Sequence, residues 1–236
     1  MKKLFCMLCV IVTVLCLCSC KDNSSQMPNE YEPWKTNSSK DHVSEFMELL
    51  GGQIELDSLL SGFVLEEEHC YNVTPTQVAE ETDMKIFKFS DSCASFVTVD
   101  DAIYPLCDFL GGYGFVNALP CDFDKDGNKD LFVASSWGSG MRRSIISVFN
   151  SVTKESTVLY DTATTDTPDV DLVVAQSTAN LFTDNPEIDE KLYYSVLSVK
   201  INVENNNFAT LSYDIVDIAG HIEITDDGPV FKPYAR

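Results

Sequence analysis

Between Asp122 and Asp130 the chain reads DFDKDGNKD, and it then turns apolar through LFVASSW, residues Leu131 to Trp137. Four carboxylates so close together repel one another unless a counter-ion or water separates them. Alternate residues of a tight loop face the same way, so Asp122, Asp124 and Asp126 converge while Gly127 permits the sharp bend. These aspartates take positions 1, 3 and 5 of a calcium loop, with Asn128 at position 7 offering its backbone carbonyl and Asp130 at position 9. Hard oxygen donors suit calcium better than zinc or copper. The expected metal set is therefore Asp122, Asp124, Asp126, Asn128 and Asp130 around one calcium ion.

An EF-hand would place a bidentate glutamate at position 12 and helices on either side. Val133 stands there instead, and Leu131 to Ser136 reads as a strand. The loop therefore constrains the chain to a β-hairpin. DFDKDGNKDLFVASS resembles the DxDxDGxxD loop of FG-GAP and VCBS repeats, the calcium-loop hairpins of integrin-type propeller blades. The resemblance spans about Phe115 to Phe149, in a single copy, and implies one structural calcium. The wider run from Tyr104 to Phe149 also resembles exported bacterial proteins that carry a DGDGxxELxYTYSWGSGxxRS pattern.

Around this hairpin, short β-prone runs are separated by Asp, Asn and Gly. MKIFKF, ASFVTV and AIYPL precede it, with Asp100-Asp101 as a tight turn. SIISVF, STVLY, VDLVVAQS, KLYYSVLSVKINV, FATLSYDIVD and HIEI follow it. Many short strands with short links predict a mainly β fold of antiparallel sheets, propeller-blade-like or a sandwich. Helical signals are confined to the N-terminal part. Val43, Phe46, Met47 and Leu50 recur at helical spacing before Gly51-Gly52. In TPTQVAEE, Thr74 reads as an N-cap, Pro75 as the first helical residue and Gln77 as the partner of a capping box.

The N-terminus reads as an address. Two lysines, an apolar run from Leu4 to Leu17, and a small residue before a cysteine form an export signal. The run is about 14 residues long, short of the ~20 that span a bilayer as a helix. Leu17-Cys18-Ser19-Cys20 resembles a bacterial lipobox, which predicts a signal peptide over 1–19 and acylation of Cys20. Residues 20–40, rich in polar side chains and proline, read as a flexible tether, and 41–236 as one β domain. The expected location is the outer membrane or cell surface of a Gram-negative bacterium, with the lipid at Cys20 as the membrane contact.

Loss of Lys2 and Lys3 with that leader leaves 14 basic against 37 acidic side chains, a formal charge of −23. Such a surface repels polyanions and argues against a nucleic-acid partner. Four cysteines follow Cys20: Cys70, Cys93, Cys107 and Cys121. In an oxidising compartment they predict two disulfides, in any of three pairings.

GGYGF and SWGSG flank the acidic loop and place Tyr113 and Trp137 beside flexible backbone. With Arg142 and Arg143 they are candidates for binding a glycan or peptide ligand, set against a core role for the aromatics and a charge-pairing role for the arginines. Glu66-Glu67-Glu68 reads as a solvated face. His42, His69 and His221 are far apart, and no GxSxG or HExxH occurs, so no reaction is named. The sequence favours an exported lipoprotein whose β domain uses calcium structurally and binds an extracellular glycan or protein. A calcium-dependent hydrolase of cell-surface polymers is the alternative, or a subunit of an envelope complex.

Overall fold

β-branched and aromatic residues alternate with turn formers along most of the chain, and among the described residues they fold as twelve strands and two short α-helices. The structure, a computed structural model, describes residues 36, 38–52, 65–107, 111–138, 141, 143–164, 170–177 and 193–234. All belong to the unit Pro33–Arg236. The expected leader, Cys20, most of the tether and Arg142 lie outside the described residues.

The strands form three antiparallel sheets, each a meander of four consecutive strands. The first sheet holds β1 (Cys70–Asn72), β2 (Lys85–Phe89), β3 (Ser95–Val99) and β4 (Ala102–Pro105). The middle sheet holds β5 (Gly114–Cys121), β6 (Asp130–Trp137), β7 (Arg143–Phe149) and β8 (Ser156–Asp161). The third holds β9 (Asp171–Ser177), β10 (Tyr193–Val203), β11 (Leu211–Thr225) and β12 (Gly228–Pro233). The mainly antiparallel β architecture is as the sequence predicts. The runs FATLSYDIVD and HIEI join into the single strand β11, while β1 and β12 had no signal of their own.

The middle sheet is covered on both faces. Phe115, Ala118, Leu131, Val133 and Phe149 pack with Ile86 and Val97 of the first sheet. Val116, Leu119, Phe132, Ala134, Ile146 and Val148 pack instead with Leu172, Val174, Val196 and Leu197 of the third sheet. Successive side chains of a strand point to opposite faces, so a strand buried on both must be apolar throughout. β5 and the first seven residues of β6 are indeed buried without a break. Asn117 interrupts the apolar run for a reason: its amide donates to the Val174 carbonyl at 2.7 Å and its oxygen accepts from the Val174 N–H at 3.0 Å. That pair docks β9 onto the middle sheet and satisfies a buried amide on both sides.

Helix α1 (Val43–Gly52) closes the outer face of the first sheet. Its Phe46 stacks on Phe87 with centroids 4.3 Å apart, beside Phe89 and Phe96. Burying one such ring contributes about 2–3 kcal/mol. Helix α2 (Thr76–Glu81) starts without the expected capping box. Pro75 takes the N-cap position; the Thr74 hydroxyl accepts from the Ile86 N–H at 2.9 Å and donates to Asn72 at 2.6 Å. A hydroxyl already engaged by a strand N–H and an Asx turn is no longer free to cap a helix.

β5 carries a register shift between Phe115 and Asn117. Such a bulge leaves an extra residue out of the ladder and turns main-chain groups toward other partners. The Val116 carbonyl accepts from the Tyr213 hydroxyl at 2.6 Å, and the Phe115 carbonyl accepts from the Lys88 ammonium at 2.9 Å. The bulge thus ties the middle sheet to both neighbours.

Candidate metal centre

The acidic loop is the connection of the β5–β6 hairpin, closed by the pair Cys121↔Asp130. Two left-handed residues bend it, Lys125 at φ 61° and Gly127 at φ 88°. Gly127 adopts this conformation without steric cost, as the sequence predicts. Asx turns fix the rest: Asp124 accepts from the Asp126 N–H at 3.2 Å, and Asp126 from the Asn128 N–H at 2.7 Å and side-chain amide at 3.1 Å.

The result brings one oxygen each from Asp122, Asp124 and Asp126 within 4.8 Å of one another. Like charges at that spacing repel by roughly 1 kcal/mol per pair even in water. The other two expected ligands stand differently. Asn128 turns both N–H donors toward Asp126. Asp130, at the base of the hairpin, is 1% exposed, and its Oδ1 accepts from the Ser151 N–H at 2.8 Å. Among the described residues, Asp122 Oδ1 and Asp130 Oδ2 are buried without a hydrogen-bond partner. Buried carboxylate oxygens are ordinarily paired, so these two stand out.

Electrostatics follow this geometry. Hydrogen bonds from Asn128 hold the Asp126 carboxyl below the usual aspartate range. Burial pushes Asp130 up, and the charges of Asp124 and Asp126 add to that. A cation among these oxygens would reverse both burdens on Asp130.

The neighbouring hairpin braces the loop, which the sequence did not signal. In the β7–β8 turn, the Asn150 amide donates to Asp124 at 3.0 Å, and Asn150 Oδ1 accepts from the N–H groups of Val152 and Thr153. Asn150 and Ser151 lie some twenty residues past the loop, and only sheet pairing of β6 with β7 brings them beside it. Lys129 reaches Glu81 of α2 at 2.9 Å, an exposed ion pair of small worth.

The aromatic candidates separate. Tyr113 is buried at 9% exposure and packs against Phe208, so it belongs to the core rather than to a ligand shelf. The reason lies in its flanking glycines: a Cβ on Gly112 would meet the Trp137 main chain at 2.5 Å, and one on Gly114 the Cys93 carbonyl at 2.1 Å. These glycines serve close backbone approach, which pulls Tyr113 inward. Trp137 is half-buried, with the Arg143 guanidinium 5.1 Å from its ring centre.

The four cysteines are free thiols, where two disulfides were expected. Cys70 packs in the helix-covered core with Lys40 and Glu67 as its charged neighbours. Cys121 packs between the middle and third sheets, near Asp130. Cys93 and Cys107 share a third environment, around Lys88.

A cleft of about 640 Å³ opens between α1 and the first sheet, lined by His42, Glu45, Phe46, Lys85 and Asp101 among others. None of the loop aspartates lines it. Glu66, Glu68 and His69 form a second group able to hold a cation, but His69 already pairs with Glu68 at 3.3 Å and all three are solvent-facing. No helix among the described residues is long and apolar enough to cross a membrane. Comparison with protein-family models, curated proteins and solved structures finds no match.

Proposed function

We propose that this protein is a calcium-stabilised β module of the cell envelope, tethered by a lipid on Cys20 and presenting its surface to an extracellular glycan or protein. One observation carries the calcium reading. The hairpin holds three clustered carboxylates together with two buried carboxylate oxygens that have no partner. The donor chemistry fits a hard divalent cation, and the turn residues pre-bend the chain so that binding orders little. Asp122, Asp124 and Asp126 would hold the ion, with Asp130 supporting from below.

The role is structural. Calcium would offset the mutual repulsion of the loop and fasten the β5–β6 hairpin to the β7–β8 turn. The resemblance to FG-GAP and VCBS hairpins supports this, as does the four-stranded meander in which the loop sits. The ligand surface is assigned to the solvent-facing parts of Trp137 and Arg143 at the far end of β6, without Tyr113.

Calorimetric titration of calcium into the chelator-treated protein tests the reading. One saturable site is expected, with a raised Tm: an ion at a hundredfold excess over Kd stabilises by about 2.7 kcal/mol. Asp126→Ala should abolish most of both effects. A wild-type protein whose Tm is unmoved by calcium would sink the proposal.

A further inference from the structure

Helix α1 covers only part of the outer face of the first sheet. β2 and β3 pair as Phe87↔Phe96 and Lys85↔Thr98, and side chains two residues apart share a face, so both rungs look toward α1. Phe46 of α1 stacks on Phe87 at 4.3 Å and closes the aromatic rung. The other rung, nearer the Asp100-Asp101 turn, is polar and only half-buried. The cleft of about 640 Å³ opens there, with α1 as one wall and the sheet and its turn as the other.

Charge on the two walls is unbalanced. Glu48 stands on α1, while Asp83 precedes β2 and Asp101 lies in the β3–β4 turn. Among the described residues these carboxylates have no hydrogen-bond or ion-pair partner, whereas Glu45 holds His42 at 2.7 Å and Asp100 holds Lys154 at 2.6 Å. The Lys85 ammonium is likewise without a partner among the described residues, so three unpaired carboxylates face one unpaired cation. One small ion cannot answer them. Among the described residues, the groups close enough together to share a metal lie at Glu66, Glu68 and His69 and in the acidic loop, not in the cleft. Between the walls, half-buried Leu49 and Val99 offer apolar surface above the Phe46 and Phe87 rings.

We propose that this cleft binds a linear aliphatic polyamine, with its ammonium groups against Glu48 on one wall and Asp83 and Asp101 on the other, and its methylene chain across Leu49 and Val99. Negative charge spread over both walls calls for a ligand that carries positive charge at both ends. A metal ion lacks the length, and a neutral sugar lacks the charge. An ammonium brings three donors and no acceptor, which suits carboxylate oxygens at a rim. Its methylene stem can lie along apolar surface while the charged ends stay in water. The volume is that of a small-molecule site.

Lys85 fixes the sign of the effect. It repels a polycation, so its removal tightens binding, whereas an anionic ligand would depend on it. A chain of formal charge −21 also attracts any cation diffusely. A built site differs from that background in depending on the cleft residues and on the length of the ligand. It is also separate from the acidic loop, none of whose aspartates lines the cleft.

The test titrates spermidine, and separately butylamine, into the full chain by calorimetry at low ionic strength with calcium present. One saturable site for spermidine is expected, with butylamine roughly tenfold weaker because it lacks the second linked charge. Glu48→Gln combined with Asp101→Asn should weaken spermidine about tenfold, and Lys85→Met should tighten it about threefold, since exposed charge pairs are individually modest. Asp217→Asn, an exposed acid of β11, and Asp126→Ala in the loop should leave the affinity unchanged. Equal weakening by Asp217→Asn would mean diffuse attraction, and loss with Asp126→Ala would place the cation in the loop; either result overturns the proposal. Absence of saturation, equal affinity for butylamine, or weaker binding by Lys85→Met would overturn it as well.

Discussion

The two ends of β5 accommodate charge in opposite ways. At the Cys121 end, carboxylates crowd a loop and leave two buried oxygens unpartnered. At the Gly114 end, one ammonium lies deep between sheets, held by a carbonyl that the bulge exposes. The first arrangement is incomplete without something positive from outside. The second is completed by the chain itself. Burial is costly for either sign of charge, and what differs is whether the fold or the solvent supplies the partner.

Four perturbations bear on this contrast. Phe132, paired with Leu119 two residues from the acidic end of β5, is 0% exposed and edge-on to Tyr194 at 4.8 Å. Phe132→Ala should cost about 3–5 kcal/mol in denaturant unfolding. Calcium response and protection of the Cys93 and Cys107 thiols should vanish in one transition; two separate transitions would show that the ends unfold independently.

Lys88→Met sharpens the buried end. The folded pKa of about 8 lies below the ordinary 10.5, so this residue's contribution is absent below the lower value and rises to its full size above the upper one. Wild type minus Lys88→Met should therefore gain about 3 kcal/mol between those pH values. Taking the difference cancels the other groups that titrate there, and a flat difference would mean that Lys88 is not buried as a cation.

At the acidic end, Asn150→Ala removes the brace on Asp124. The expected loss is about 1 kcal/mol in calcium-loaded protein, read from the Tm. No change would leave the loop independent of the β7–β8 turn.

The smallest effect is a slope. Burial raises the Asp130 pKa in the fold, so its contribution is present at low pH and is lost as pH climbs through the folded pKa. Calcium-free wild type should lose stability there relative to Asp130→Asn, and added calcium should erase the loss. A loss that survives calcium would separate Asp130 from the metal centre.

Much of the fold was written locally. Turn chemistry at Asp100-Asp101, both in left-handed conformation, and at Gly127 marks hairpins whatever surrounds them. The helical spacing of Val43 and Phe46 likewise produced α1 with those residues inward. The carboxylates at alternate positions were legible for the same reason, since a loop of eight residues between paired strands leaves them few directions to face.

The remainder depended on partners distant in sequence. Thr74 reads as a helix cap until a strand N–H engages it. Tyr113 reads as a shelf until two glycines let backbone close over it. Asn150 and Ser151 join the acidic loop only because β6 pairs with β7, and Lys88 finds a buried acceptor only because a bulge in β5 frees the Phe115 carbonyl. By itself, the sequence determined which segments are strands and where like charges gather, because φ/ψ preference and spacing act within a few residues. Tertiary structure alone decided which polar groups are buried and what they touch, because burial is a property of the stacked sheets and not of any one strand.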